Sequence, residues 1–238
     1  MCTVTFIPTG DSNFIITSNR DEAVSRVTLR PDFYDVDGVK MLFPKDAVAG
    51  GSWIGISEKN TLICLLNGGF ENHIRVENYK MSRGIVVKEL LKAEDLSNAI
   101  ETFNYKGIEP FTIIAVNWSL QLRVTELVWD GQEVYVTVLP NEPKIWSSSM
   151  LYTTTMKNKR KEWFKAFSNE NTLKGDDMYR FHTTAGEGDK STDVCMDRGF
   201  LKTVSITQVE KTDKNCTMTY FDLQKDEEHR TEFYTVTA

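Results

Sequence analysis

Short runs of β-branched and aromatic residues, each closed by turn chemistry, open the chain. Thr3–Ile7 and Phe14–Ser18 flank Pro8–Asn13, which predicts a β-hairpin. With the turn centred near Gly10 and Asp11, antiparallel pairing sets Cys2 roughly opposite Asn19. Ser52–Ile56 and Thr61–Leu65 flank Ser57–Asn60 and predict a second hairpin, with Asn67 at its exit. The spacing then lengthens to that of helices over 81–92 and over 95–101, the second of which starts with capping candidates. Runs at 111–116, 120–129 and 133–138 read as a strand meander, with Asp130-Gly131 as a hairpin turn. A helix over 159–167 carries Trp163, Phe164 and Phe167 as its buried stripe, and strands at 200–207, 216–222 and 231–236 close the chain. The segments 29–48 and 141–155 read as loops that shape a pocket. Strands, then helices, then strands, with no repeat or linker, predict one layered α+β domain over 1–238.

Composition narrows the function classes. The 238 residues suffice for one sizeable core, and 28 Lys plus Arg against 34 Asp plus Glu give a net charge of -6. An acidic chain without a sustained basic stripe argues against nucleic acid as partner. The one local exception, Lys157–Lys161, reads as a solvated helix start. No apolar stretch approaches the ~20 residues of a membrane span, and the start has neither a basic segment nor a long apolar run, so a cytoplasmic location is expected. The four cysteines lack paired metal spacing, Cys64 reads as a small core residue, and His73, His182 and His229 form no ligand set. Neither a metal nor a cofactor is expected.

The candidate chemistry sits at the start. Removal of Met1 would leave Cys2 with a free α-amino group beside its thiol, a nucleophile with its own base. The two groups titrate near pKa ~8 and ~8.5, close to working pH before any tuning. Asn19-Arg20-Asp21-Glu22 lies at the strand end facing Cys2. An arginine there stabilises a thiolate, and a carboxylate accepts hydrogen bonds from the amine and orients it. Trp53 suits either a substrate wall or a ligand stack.

Met1-Cys2-Thr3, Ser18–Glu22, Gly51-Ser52-Trp53-Ile54-Gly55 and Leu66-Asn67-Gly68-Gly69 together resemble the NRDE family, whose eukaryotic members are called Transport and Golgi organisation 2. The cysteine start with its following Arg and Asp also resembles the cysteine N-terminal nucleophile hydrolases, which include penicillin V acylase and bile salt hydrolase. The resemblance implies a four-layer αββα sandwich with the first residue at a pocket. It implies Cys2 as nucleophile and base, Asp21 as the anchor of the amine, and Arg20 as neighbour of thiolate and substrate carboxylate. Asn67 is the implied oxyanion-hole donor, and Asn19, Trp53 and Gly68 are the implied substrate contacts. Two stretches depart from the pattern: Trp146–Leu151 lacks the family's asparagine, and Met196–Val204 fits only loosely, with Arg198 as its one candidate cation. Two readings follow. One is a hydrolase of a linear amide or acyl bond in a small molecule, and the other is a non-catalytic binding or trafficking protein for haem or an acyl lipid.

Overall fold

Residues 3–234 are described in a computed structural model, and they form two antiparallel sheets flanked by helices. The first strands are β1 (Thr3–Pro8), β2 (Phe14–Ala23), β3 (Thr28–Val36), β4 (Val39–Asp46), β5 (Ile54–Ser57) and β6 (Thr61–Asn67). Helices α1 (Arg83–Leu91) and α2 (Leu96–Thr102) follow, then β7 (Phe111–Asn117), β8 (Arg123–Trp129), β9 (Val134–Leu139) and β10 (Lys144–Ser147). The chain continues through α3 (Thr154–Glu170), α4 (Gly175–Thr184), β11 (Leu201–Thr212), β12 (Asn215–Asp222) and β13 (Glu227–Tyr234). One sheet has the order β10-β1-β2-β11-β12-β13, and the other runs β3-β4-β5-β6-β7-β8-β9.

Three apolar layers account for the stacking. Side chains alternate across a strand, so Val4, Phe6, Phe14 and Ile16 of the first sheet meet Ile54, Leu62, Cys64 and Ile114 of the second between the sheets. The outer face of the second sheet, with Met41, Ile63 and Phe111, is covered by Val86, Val87, Leu90 and Leu91 of α1 and Leu96 and Ile100 of α2. Ile7 and Ile15 on the outer face of the first sheet pack on Phe164 of α3 and Met178 and Phe181 of α4. The molecule is therefore an αββα sandwich. Ser82 and Asp95 cap α1 and α2 by accepting from Gly84 N and Asn98 N. No helix among the described residues is long and apolar enough to cross a membrane.

The sequence-based layout gains α4, which the sequence reading did not predict, and changes in four other places. The first hairpin pairs Thr3, not Cys2, with Asn19, because its loop runs from Thr9 to Asn13 and centres on Asp11. A shift of one residue exchanges the faces of a strand, so the difference decides which side chains share a side. The 29–48 stretch is largely the β3–β4 hairpin; β3 is an edge strand whose Pro31 sits in a bulge between Leu29 and Asp32, which hides the alternation. The 141–155 stretch contains β10, an edge strand paired with β1. Helix α3 begins at Thr154, and its basic run is not a solvated start throughout, since Arg160 is fully buried.

Candidate functional site

The C-terminal half of β2 carries the polar cluster into the interior: Asn19, Arg20 and Asp21 are all buried rather than solvated. Opposite them β11 bulges, its register jumping from Thr203 against Asp21 to Ser205 against Arg20. Bulges of this kind re-aim side chains next to sites. Strand alternation separates the three residues, Arg20 facing the second sheet and Asn19 and Asp21 facing the helices.

Arg20 donates from Nη2 to Asp46 Oδ2 at 2.7 Å and from Nη1 to Thr28 Oγ1 at 2.6 Å, and its guanidinium lies 4.4 Å from the centre of the Trp53 ring. Burial lowers the Arg20 pKa, against the opposing charges of Glu22 and Asp46. Asp46 Oδ2 also accepts from Arg26 Nε at 2.7 Å, while Oδ1 accepts from the backbone of Val48 and Ala49. Burial alone would raise the Asp46 pKa, but the Ala49 and Arg26 hydrogen bonds and the two arginine charges outweigh it and hold the carboxyl below its ordinary range. Arg20, Trp53 and Asn67 line one cleft, walled on its far side by Ser82, Arg83 and Gly84 at the start of α1. It opens past Asn67 into a pocket of about 370 Å³ that reaches Arg75 and Glu109.

Asn67 ends β6 at the mouth of this cleft. Its backbone oxygen accepts from Ser148 Oγ at 2.7 Å, and no described residue takes its side-chain amide. Gly68 follows at φ +87°, where glycine is favoured. Its N–H is spent on Pro110 O, and a side chain there would meet Ser149 and Met150 at 3.2 and 3.1 Å. Two serines of the Trp146–Leu151 stretch, Ser148 and Ser149, hold this corner. Ser149 Oγ donates to Gly69 O at 2.6 Å and accepts from Lys157 Nζ at 2.7 Å.

On the helix side, Asp21 accepts from Tyr152 Oη and from Thr203 Oγ1, each at 2.6 Å. Asn19 does not line the cleft. Its Nδ2 donates to His182 O and Val194 O, which leaves Oδ1 to accept from His182 Nδ1–H at 2.6 Å. That assignment makes His182 Nε2 the acceptor of the Thr5 hydroxyl at 2.8 Å. Burial, and then the charge of Arg160, push the His182 pKa down to about 3, so the ring is neutral.

Arg160 stacks 3.6 Å from the centre of the Tyr152 ring and donates to Thr192 O, Asp193 O and the Thr3 hydroxyl. Arg198 donates to Ser191 O and Leu151 O, and its guanidinium lies 5.5 Å from the same ring. Sequence reasoning gave no role at the site to Tyr152, Arg160, His182, Asp46 or Arg83. Only His182 left a trace there, as the i+4 partner of Met178 and i+1 of Phe181 on the buried stripe of α4.

Cys2 lies outside the described residues. Of the remaining thiols, burial pushes Cys64 and Cys216 up to about 12 and raises Cys195 as well. Among the described residues no group of three or more His, Cys, Asp or Glu is placed to hold a metal ion.

The sequence model of the family Transport and Golgi organisation 2 matches residues 1–232. No curated protein matches the chain by sequence. Several solved structures share its fold. A Caenorhabditis elegans N-acylethanolamine-hydrolyzing acid amidase ortholog superposes with a TM-score of 0.62 at 12% identity, covering 87% of this chain and 92% of its own. Penicillin V acylase from Agrobacterium tumefaciens gives 0.54 at 7% identity, covering 98% and 86%. A variant of conjugated bile acid hydrolase from Clostridium perfringens gives 0.52 at 12% identity, covering 100% and 98%.

Proposed function

We propose, for a chain that belongs to the Transport and Golgi organisation 2 family and folds as amidases and acylases do, that it is a single-domain cysteine N-terminal nucleophile hydrolase of a linear amide or acyl bond. After loss of Met1, the Cys2 thiol attacks the carbonyl carbon while its proton passes to the α-amine. The amine then protonates the leaving group, and a thioester remains. Water, deprotonated by the same amine, attacks the thioester; the acid leaves and the thiol is restored. Asn67 donates its unpartnered side-chain amide to the oxyanion, where such a donor typically contributes on the order of a hundredfold or more in rate. Arg20 stabilises the thiolate, and Asp21 orients the amine.

The observation that carries this reading is the pairing of Thr3 with Asn19. The residue bonded to Thr3 is Cys2, and the next residues along β2 are Arg20, turned to the cleft, and Asp21, turned to the helices. An N-terminal residue presents its amine from the backbone and its thiol from the side chain, so supports for the two groups belong on different sides of a sheet.

The test is acyl-enzyme formation. A p-nitrophenyl ester of a short fatty acid should leave a thioester adduct that maps to Cys2 and turns over, and Cys2→Ala should form no adduct. An adduct of equal yield in Cys2→Ala overturns the assignment. Saturable binding of haem or an acyl lipid with no adduct in the unaltered protein would favour the carrier reading instead.

A further inference from the structure

The cleft gathers positive charge in an acidic protein. Four arginines, Arg20, Arg26, Arg75 and Arg83, line it and its extension, against three carboxylates, Glu22, Asp46 and Glu109. The carboxylates are shared rather than matched one to one. Asp46 Oδ2 takes both Arg20 and Arg26 at 2.7 Å, and Glu109 takes Arg75 at 3.0 Å and Arg83 at 3.2 Å, while Glu22 stands off at 3.7 and 3.8 Å from Arg20 and Arg26. The cluster is thus left with one positive charge in excess, in a chain whose formal net charge is -6.

Solvent does little for two of the four arginines, since the side chains of Arg20 and Arg83 are 3% and 14% exposed. Burial is the largest influence on Arg20 and Arg83 and lowers the pKa of both, although Glu22 and Asp46 oppose it at Arg20, and Glu109 and Glu22 at Arg83. A guanidinium carries five N–H donors in a planar fork suited to carboxylate or phosphate oxygens. Arg83 uses one terminal nitrogen on Pro110 O and the other on Glu109. Arg75, with its side chain 69% exposed, meets Glu109 through Nε at 3.0 Å and Nη2 at 3.5 Å, and its Nη1 makes no hydrogen bond to a described residue. The start of α1 faces the same space through Ser82, Arg83 and Gly84, and the positive end of the helix dipole adds to the charge there.

We infer that the Arg75–Arg83–Glu109 end of the cleft is an anion subsite, and that the amide or acyl compound taken by this protein bears a carboxylate or phosphate group seated there. The inference rests on the proposed hydrolase for the reacting end of that compound, but the anion subsite itself does not require Cys2 to react. Glu109 fixes the two guanidiniums in place before the ligand arrives, and a negative charge entering beside them cancels the excess. A neutral amide of the same shape gains nothing there, so the subsite selects for charge.

Inorganic phosphate and acetate, titrated separately into the full chain at constant ionic strength with chloride as reference, test the subsite through the unfolding midpoint. The expected result is a saturable rise with at least one anion, and the stronger of the two identifies phosphate or carboxylate as the preferred group. Arg75→Gln with Arg83→Gln should weaken that affinity by roughly tenfold or more, the loss expected of charge-assisted hydrogen bonds. Arg75→Gln alone, at an exposed position that does not endanger folding, should weaken it severalfold, and Arg180→Gln on α4 should leave it unchanged. No saturable shift with either anion, or an unaltered shift in Arg75→Gln, overturns the inference. The rate of Cys2 alkylation by iodoacetate against iodoacetamide separates this from the catalytic reading. The ratio at Cys2 should exceed that of glutathione by about tenfold, the scale of local enrichment by a charged cleft, and should fall to it in the double variant. Failure of both reagents at Cys2 overturns the nucleophile and leaves the anion titration to decide the subsite; a reactive Cys2 with no bias overturns the subsite and leaves the nucleophile standing.

Discussion

His182 makes the site's support sensitive to acid, and the effect has a definite sign. The ring is fully buried, accepts from Thr5 and donates to Asn19, and its pKa is held at about 3 against an ordinary value of 6.5. Between these values the unfolded chain binds a proton that the folded chain refuses. Stability is therefore complete above the unfolded pKa and declines as pH falls from about 6.5 toward 3, by up to ~1.4 kcal/mol per pH unit. At pH 5 the loss from this one group is roughly 2 kcal/mol. For a chain of this length that lowers the melting midpoint by about 4 to 8 °C. His182→Gln removes the titration, so the variant, though less stable at neutral pH, should lose about 2 kcal/mol less than the unaltered protein between pH 7.5 and pH 5. Urea unfolding at the two pH values measures the difference, since the carboxylates common to both proteins cancel. Parallel losses in the two proteins would refute the buried neutral histidine and, with it, the hydrogen-bond assignment of Asn19.

Two further substitutions probe the packing around the site. Gly51→Ala should destabilise by about 1 to 3 kcal/mol, because its added carbon would fall 2.5 Å from the Gly84 backbone where the loop crosses the start of α1; a thermal melt checks it, and an unchanged midpoint contradicts the close approach. Arg160→Met should cost roughly 2 to 5 kcal/mol by stranding Thr192 O and Asp193 O, whereas Lys161→Met one residue along, on an exposed position, should stay within ~0.5 kcal/mol; equal effects in denaturant titrations would contradict the burial of Arg160.

A layered α+β domain was legible because most of the strands alternate and the helices show their spacing, whereas the αββα stacking was implied by the family resemblance alone. Thr3–Ile7 and the 111–138 meander stand close to their sequence-derived bounds, whereas Phe14–Ser18 is only the first half of β2, which continues through the polar cluster to Ala23. The β3–β4 hairpin was not legible, since Pro31 and the three charged residues Arg30, Asp32 and Asp35 break the alternation of an edge strand. Helix α4 was missed for a related reason: its mean composition is polar, and only Met178, Phe181 and His182 mark the face it buries. At the site, local sequence gave Arg20, Trp53 and Asn67, which line one cleft. It placed Asn19 and Asp21 with them, and the pleat of β2 turns those two the other way. The one-residue register difference arose from loop geometry, which spacing alone does not determine. Arg83, Asp46, Tyr152 and Arg160 reach the site from distant segments, and nothing local in the chain announces such contacts.

The central claim is that Cys2 is an activated N-terminal nucleophile, and limiting iodoacetamide followed by intact mass and peptide mapping tests it most directly. Burial raises the pKa of each of the other three thiols, to about 12 for Cys64 and Cys216, so they should label slowly at neutral pH. The account predicts a protein that lacks Met1 and takes one label, at Cys2, well before any other cysteine. Retained Met1, or labelling of Cys2 no faster than that of Cys195, would contradict it.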